Sequence, residues 1–254
     1  MRPVLPVAAN TFRETVRERV LYNLVFFAIV MTLCGVILKE ISIRQDEKII
    51  KDIGLAATDV FGSLIAIFIG VGLVSKEIER RSLYPLLAKP LRREEFLLGK
   101  FLGLCFTLAV NVAVMTLGLW VTLWATHGSF DLGLLKAVFA IYAGLVLTVA
   151  FALLFSSISS SALAAVCTFA LVAAGRYSDV IFNMKEVVEG VPAWLLQAAY
   201  YAIPNFRNFD LKNRVVYGDS VSWDALGFIA VYAAVYTALA LGVAMAFFRR
   251  RDLQ

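Results

Sequence analysis

An all-α integral membrane protein with six transmembrane helices is what this sequence predicts, on three observations. Hydrophobic residues make up 61% of the 254, with a mean hydropathy of +0.80, whereas soluble domains run at about 45–50% apolar. The apolar residues fall in six runs, at 20–38, 53–74, 101–125, 134–155, 162–175 and 226–248. Most of these runs are long enough to cross a hydrocarbon core of about 30 Å. The charged residues, 17% of the chain, gather between the runs.

Ahead of the first run, Phe12, Val16 and Val20 recur every four positions, while Arg13, Glu14, Arg17 and Glu18 fall on the other side. That pattern predicts a short amphipathic helix over 9–19, capped by Asn10 or Thr11, lying at a membrane surface. The long apolar run that follows lacks the cleavage pattern of a secretory signal. Run 20–38 is interrupted only by Asn23 and Thr32, and 39–52 carries four basic and four acidic residues. Run 53–74 holds Asp59, and run 101–125 holds Asn111. A turn with His127, Gly128 and Asp131 leads to 134–155, and SSISSS at 156–161 turns the chain into the short run 162–175. The segment 176–225 is too long for a simple turn. Val187, Val188, Val191, Trp194, Leu195, Ala198 and Tyr201 predict one or two amphipathic helices there, broken at Pro192 and ended at Pro204. Trp194, Tyr200 and Tyr201 suit a lipid–water boundary, whether the segment dips into the membrane or lies on it. Run 226–248 ends at Arg249-Arg250-Arg251.

Six crossings return both termini to one side. Placing the two tails and 75–100 inside puts fourteen basic residues there, against ten outside among eleven acids. The positive-inside bias therefore predicts cytoplasmic termini and a cytoplasmic 75–100. The net charge of +5 points to lipid headgroups and a partner protein rather than to nucleic acid, because the basic residues sit beside apolar runs.

Much chemistry is excluded. The only Gly-Lys, at Gly99-Lys100, lacks the upstream glycine loop of an ATP-binding site, and one histidine with no HExxH or GxSxG pattern leaves no hydrolase site. Cys34, Cys105 and Cys167 lie scattered within apolar runs, where cysteine packs as a small hydrophobe, and the five methionines do not cluster into a metal site. We expect no catalytic residue, no metal and no bound cofactor. Asp59 is the candidate intramembrane polar site. A carboxylate in a span either pairs with a cation or lines a cavity, or it lies close enough to the boundary to reach water or cap the helix. Asn111 is expected to hydrogen-bond between helices, and Gly99-x-x-x-Gly103 to allow a close helix approach. His127 reads as an ordinary loop residue.

The densest charge lies in 75–100, where Lys76, Arg80, Arg81, Lys89, Arg92, Arg93 and Lys100 interleave with Glu77, Glu79, Glu94 and Glu95. Ile78, Leu83, Leu86, Leu87, Leu91, Phe96 and Leu97 recur at roughly helical spacing, and Pro85 and Pro90 divide the segment into short helical pieces. The order Glu79-Arg80-Arg81-Ser82-Leu83, then Leu86-Leu87-Ala88-Lys89-Pro90, Arg93 and Gly99-Lys100, resembles the cytoplasmic segment after the second span of type-2 ATP-binding-cassette permeases. Ser82 stands where threonine is commoner in that family. The resemblance implies a permease subunit of an exporter, with an N-terminal elbow helix and a coupling helix that docks on a separate ATPase subunit. Glu79, Arg80, Arg81, Arg92 and Arg93 would form the docking surface and Leu83, Leu86 and Leu87 its apolar anchor, with Ser82 and Pro90 among the coupling residues. It also implies a second permease subunit, identical or related, ATP and Mg held by the ATPase, and a bacterial or archaeal cytoplasmic membrane. An ATPase-independent carrier or channel is the alternative, though no internal repeat supports it. So is a non-transporting membrane anchor for a cytoplasmic partner.

Overall fold

The computed structural model describes residues 4–15, 27, 46–79, 93–128, 131–178 and 203–250. Among these the secondary structure is helical throughout: α1 (Val4–Thr15), α2 (Asp46–Glu79), α3 (Arg93–His127), α4 (Leu134–Ile158), α5 (Ser161–Arg176), a 3₁₀ turn (Phe206–Phe209), α6 (Lys212–Val216) and α7 (Trp223–Arg250). Four of these helices are long and apolar enough to cross a membrane, over Glu47–Gly72, Glu94–Thr126, Leu134–Ile158 and Trp223–Phe247. They contain the runs 53–74, 101–125, 134–155 and 226–248. The run 162–175 lies in α5, whose 16 residues rise about 24 Å, short of a full hydrocarbon core. The run 20–38, apart from Phe27, lies outside the described residues.

Helix α4 is the centre of the bundle. It is apolar on every side, and such a helix has to be buried. It packs against α7, α2, α5 and α3, and Leu134, Ala137, Leu147, Ala150, Ala152 and Leu153 are completely buried. Helix α2 approaches its neighbours through glycine: a Cβ at Gly54 would strike Leu119, one at Gly62 would lie 2.6 Å from Leu145, and one at Gly70 would lie 2.8 Å from Ala152. The outer faces are apolar as well. Val60, Leu64 and Phe68 are exposed on α2, as are Leu117, Val121 and Trp124 on α3 and Val231, Val235 and Leu239 on α7. A chain apolar both inside and outside is what a hydrocarbon solvent requires.

Helix α1 begins at Val4 rather than at Ala9, so Asn10 and Thr11 lie inside the helix and do not cap it. Pro6 permits the earlier start, because backbone N–H groups in a first turn have no intrahelical acceptor to lose. Thr11 is buried, α1 lies along the beginning of α3, and Phe12 meets Phe106 edge to face at 4.8 Å. The approach is close at Gly99 and Gly103. A Cβ on Gly99 would sit 2.8 Å from Val7, and one on Gly103 would sit 2.6 Å from the Ala8 carbonyl oxygen.

At the opposite end of the bundle, Lys51 joins Glu47 and Asp131, both at 2.8 Å, and so fastens the α3–α4 turn to α2. Burial alone would raise the Asp131 carboxyl. Hydrogen bonds from Lys51 and the Gly133 N–H outweigh it and hold the group below the ordinary carboxylate range. Gly128 closes α3 with φ +67°, a conformation that favours glycine.

The α1–α3 contact yields the first prediction. Gly103→Val pushes a branched side chain into backbone and should cost about 1–3 kcal/mol, as over-packing does. Gly242→Ala on α7, where a Cβ meets nothing within 4 Å, should be neutral or slightly stabilising. Thermal unfolding of the detergent-purified variants checks both.

Candidate functional site

Three segments distant in sequence meet at Asp59. Two turns below the Lys51 cluster, α2 presents Asp59, whose side chain is 12% exposed. Arg176, the last residue of α5, grips it bidentately, Nη1 donating to Oδ2 at 2.7 Å and Nη2 to Oδ1 at 2.6 Å. Lys212, the first residue of α6, donates from Nζ to the same Oδ2 at 2.8 Å. One turn along α2, Ser63 accepts a further bond from Arg176 Nη2 at 3.1 Å. Asp59 therefore neither caps the helix, which begins at Asp46, nor stands in open water; it is buried and holds two cations.

Local sequence explains how the two cations arrive. Arg176 follows Gly175, where a Cβ would lie 2.5 Å from the Pro204 carbonyl oxygen and 2.6 Å from Phe206. The absence of a side chain there lets the 203–209 stretch settle against the end of α5. Asn205 starts the 3₁₀ turn by accepting from the Arg207 N–H at 2.9 Å, while its own N–H donates to the Tyr232 hydroxyl at 2.8 Å. Phe206 and Phe209 are buried, Phe209 against Gly144 of α4, and Leu211, Val215 and Val216 continue the apolar face. With that face inward, Lys212 is carried to α2.

A cavity of about 250 Å³ opens beside the cluster, bounded by Asp59, Ser63, Arg176, Arg207, Asp210 and Lys212 on its polar side and by Ile141, Gly144, Phe206 and Phe209 on its apolar side. A wider groove of about 630 Å³ adjoins it, sharing Arg207 and Asp210 and reaching Arg214 and Phe228. The arrangement can hold and exchange charge, but it contains no nucleophile paired with a base. Among the described residues no group of His, Cys, Asp or Glu is placed to bind a metal ion.

The other sequence-predicted residues are dispersed. Asn111 is fully buried on α3, and neither Oδ1 nor Nδ2 has a hydrogen-bond partner, so the expected interhelical bond is absent among the described residues. The nearest hydroxyls along α3 itself, those of Thr107 and Thr116, bond their own helix backbone. Glu79 is the last residue of α2 and Arg93 the first of α3. Arg80, Arg81, Ser82, Leu83, Leu86, Leu87, Pro90 and Arg92 lie outside the described residues, as do 179–202, where helices broken at Pro192 were expected. Sequence reasoning singled out neither Arg176 nor Lys212. The available signal was position: on the predicted topology both fall on the side of the membrane nearer to Asp59.

Removing one member of a buried ion pair strands its partner and costs about 3–5 kcal/mol, less where water reaches the site. Arg176, 32% exposed, should lie at the lower end. We expect Asp59→Asn to destabilise the chain by about 2–3 kcal/mol, with Arg176→Gln added to it costing much less than Arg176→Gln alone. Melting of the single and double variants measures that coupling, and strict additivity would contradict the pairing.

The chain matches the family model described as ABC-2 family transporter protein over residues 5–253. No curated protein matches it. The match spans nearly the whole sequence, the described residues are helical, and four helices can cross a bilayer. The chain is a multi-pass membrane protein and belongs to the ABC-2 transporter family.

Proposed function

We propose that the chain is the permease subunit of an ATP-binding-cassette exporter, moving substrate through work done by a separate ATPase subunit. The family match over 5–253 is the observation that carries this reading. Six crossings, with α1 as the cytoplasmic elbow and 75–100 as the coupling segment, complete the architecture. Two permease subunits pair in a bacterial or archaeal cytoplasmic membrane, and two ATPase subunits carrying ATP and Mg dock beneath them.

Helix α2 ends at Glu79 and α3 begins at Arg93, so both helices lead directly into the coupling segment. A push on that segment is transmitted along two stiff rods about 50 Å long. Interleaved acids and bases suit a protein partner carrying both signs, whereas a loop held only by anionic lipid needs net positive charge. Glu79, Arg80, Arg81, Arg92 and Arg93 supply the polar rim, with Leu83, Leu86 and Leu87 as the anchor.

Two experiments test the proposal. Glu79→Arg, or Arg80→Glu with Arg81→Glu, should reduce substrate-independent stimulation of the cognate ATPase by tenfold or more, roughly the cost of placing like charges face to face. Glu79→Gln should have a milder effect. Wild-type coupling in the reversed variants would leave the carrier or anchor readings standing. For topology, a cysteine at exposed Asn213 should label in intact cells and one at Glu94 only after permeabilisation. The reverse pattern would invert the orientation.

A further inference from the structure

We infer that the cavity beside Asp59 is a binding site for a small zwitterion, an ammonium and an anionic group joined by a short linker. The charges that face the cavity balance: Arg176 and Lys212 stand against Asp59 and Asp210, and Arg207 has an interaction of its own. A ligand with net charge would leave one charge unanswered where solvation is poor. Most of the polar lining is already engaged. Asp59 receives three hydrogen bonds, from Arg176 twice and from Lys212. Ser63 accepts from Arg176, and the Thr148 hydroxyl donates to its own helix at Gly144.

Capacity remains in the pair formed by Lys212 and Asp210. The Lys212 ammonium spends one of its three N–H groups on Asp59, and Asp210, its other carboxylate neighbour, stands 3.8 Å away, beyond hydrogen-bond length. Among the described residues Asp210 accepts only from the Lys212 backbone N–H, at 3.3 Å through Oδ1, and its side chain is 46% exposed. The pair is a dipole facing the cavity, a donor cation beside an acceptor anion. A zwitterion laid antiparallel to it sets its anionic group on Lys212 and its ammonium on Asp210, so opposite charges meet at both ends. An anion or a cation alone loses at one end what it gains at the other. The space of about 250 Å³ equals about eight waters at liquid density, room for a headgroup-sized molecule rather than a lone ion. The wall of Gly144, Phe206 and Phe209 suits an apolar portion attached to it.

This inference does not depend on docking of an ATPase, because binding is read on the isolated chain. The full-length protein, in dodecyl maltoside micelles at low salt, would be titrated with radiolabelled glycerophosphoethanolamine. Glycerophosphoglycerol serves as the anionic competitor and ethanolamine as the cationic one. We expect saturable binding that neither competitor displaces at matched concentration. Asp210→Asn, at an exposed position outside the Asp59 pairs, should weaken it about tenfold, the loss of one charge-assisted hydrogen bond. The same variant leaves the lining with one positive charge in excess, so glycerophosphoglycerol should now displace the label. A folding defect would weaken binding without reversing that selectivity. The zwitterion comes either from a lipid headgroup or from solution, and phosphatidylglycerol nanodiscs with and without phosphatidylethanolamine separate the two. Loss of binding only where phosphatidylethanolamine is present identifies the headgroup, and equal binding in both identifies a soluble zwitterion. Absence of saturable binding, displacement by either competitor from the unaltered chain, or unchanged selectivity in Asp210→Asn would overturn the inference.

Discussion

The Asp59 carboxylate is the constraint around which one end of the molecule is arranged. An ionised group at this depth is tolerated only with its charge answered and its oxygens hydrogen-bonded. Arg176 and Lys212 meet both conditions, and in doing so they fix the end of α5 and the start of α6 to the same turn of α2. Both elements are short, α5 at 16 residues and α6 at five. The ion pairs specify where they stop. Charge here serves position more than stability, since buried pairs gain little over apolar residues of the same size once desolvation is counted.

Elsewhere the fold is held by shape. Helix α4 has no polar face to orient it, so its place is decided by how closely its neighbours approach. Glycines on α2 bring that helix against it, and Gly144 on α4 itself admits Phe209. Thr58, Thr148 and Thr168 turn their hydroxyls onto their own helix and so impose no partner between helices. Asn111 departs from this economy. A buried amide without a partner costs about 1–3 kcal/mol, and Asn111 has none among the described residues.

The class of fold was legible in the sequence because it depends on sums: apolar content, run length and the sign of charge between runs. Helix existence followed from the same sums, and the family followed from the ordered motif at 79–100. Asp59 stood out because a carboxylate among apolar neighbours is conspicuous. Its partners did not. Arg176 lies 117 residues away at the end of an apolar run, where it reads as an ordinary boundary cation, and Lys212 lies 153 residues away in a segment with no regular period. Pairing across such separations is decided by packing of the intervening chain, here by the missing side chain at Gly175 and the inward turn of Phe206 and Phe209. The early start of α1 was hidden for a different reason. Pro6 suggests a break, yet in a first turn it removes only an N–H that had no acceptor.

Helix α2 connects the two charged regions of the molecule. It is unbroken by proline from Asp46 to Glu79, carrying Asp59 in its first half and running at its far end toward the segment rich in arginine and glutamate. A straight helix transmits displacement because its backbone hydrogen bonds resist local change, so a shift imposed at one end must be accommodated at the other. The Asp59 cluster is the charged contact along this helix that reaches α5 and α6. Its bonds to Arg176 and Lys212 tie α2 to α5 and α6, while the glycine contacts set α2 close against α3 and α4. Apolar contact alone would let α2 drift continuously. A bidentate ion pair fixes distance and direction together at the Asp59 turn.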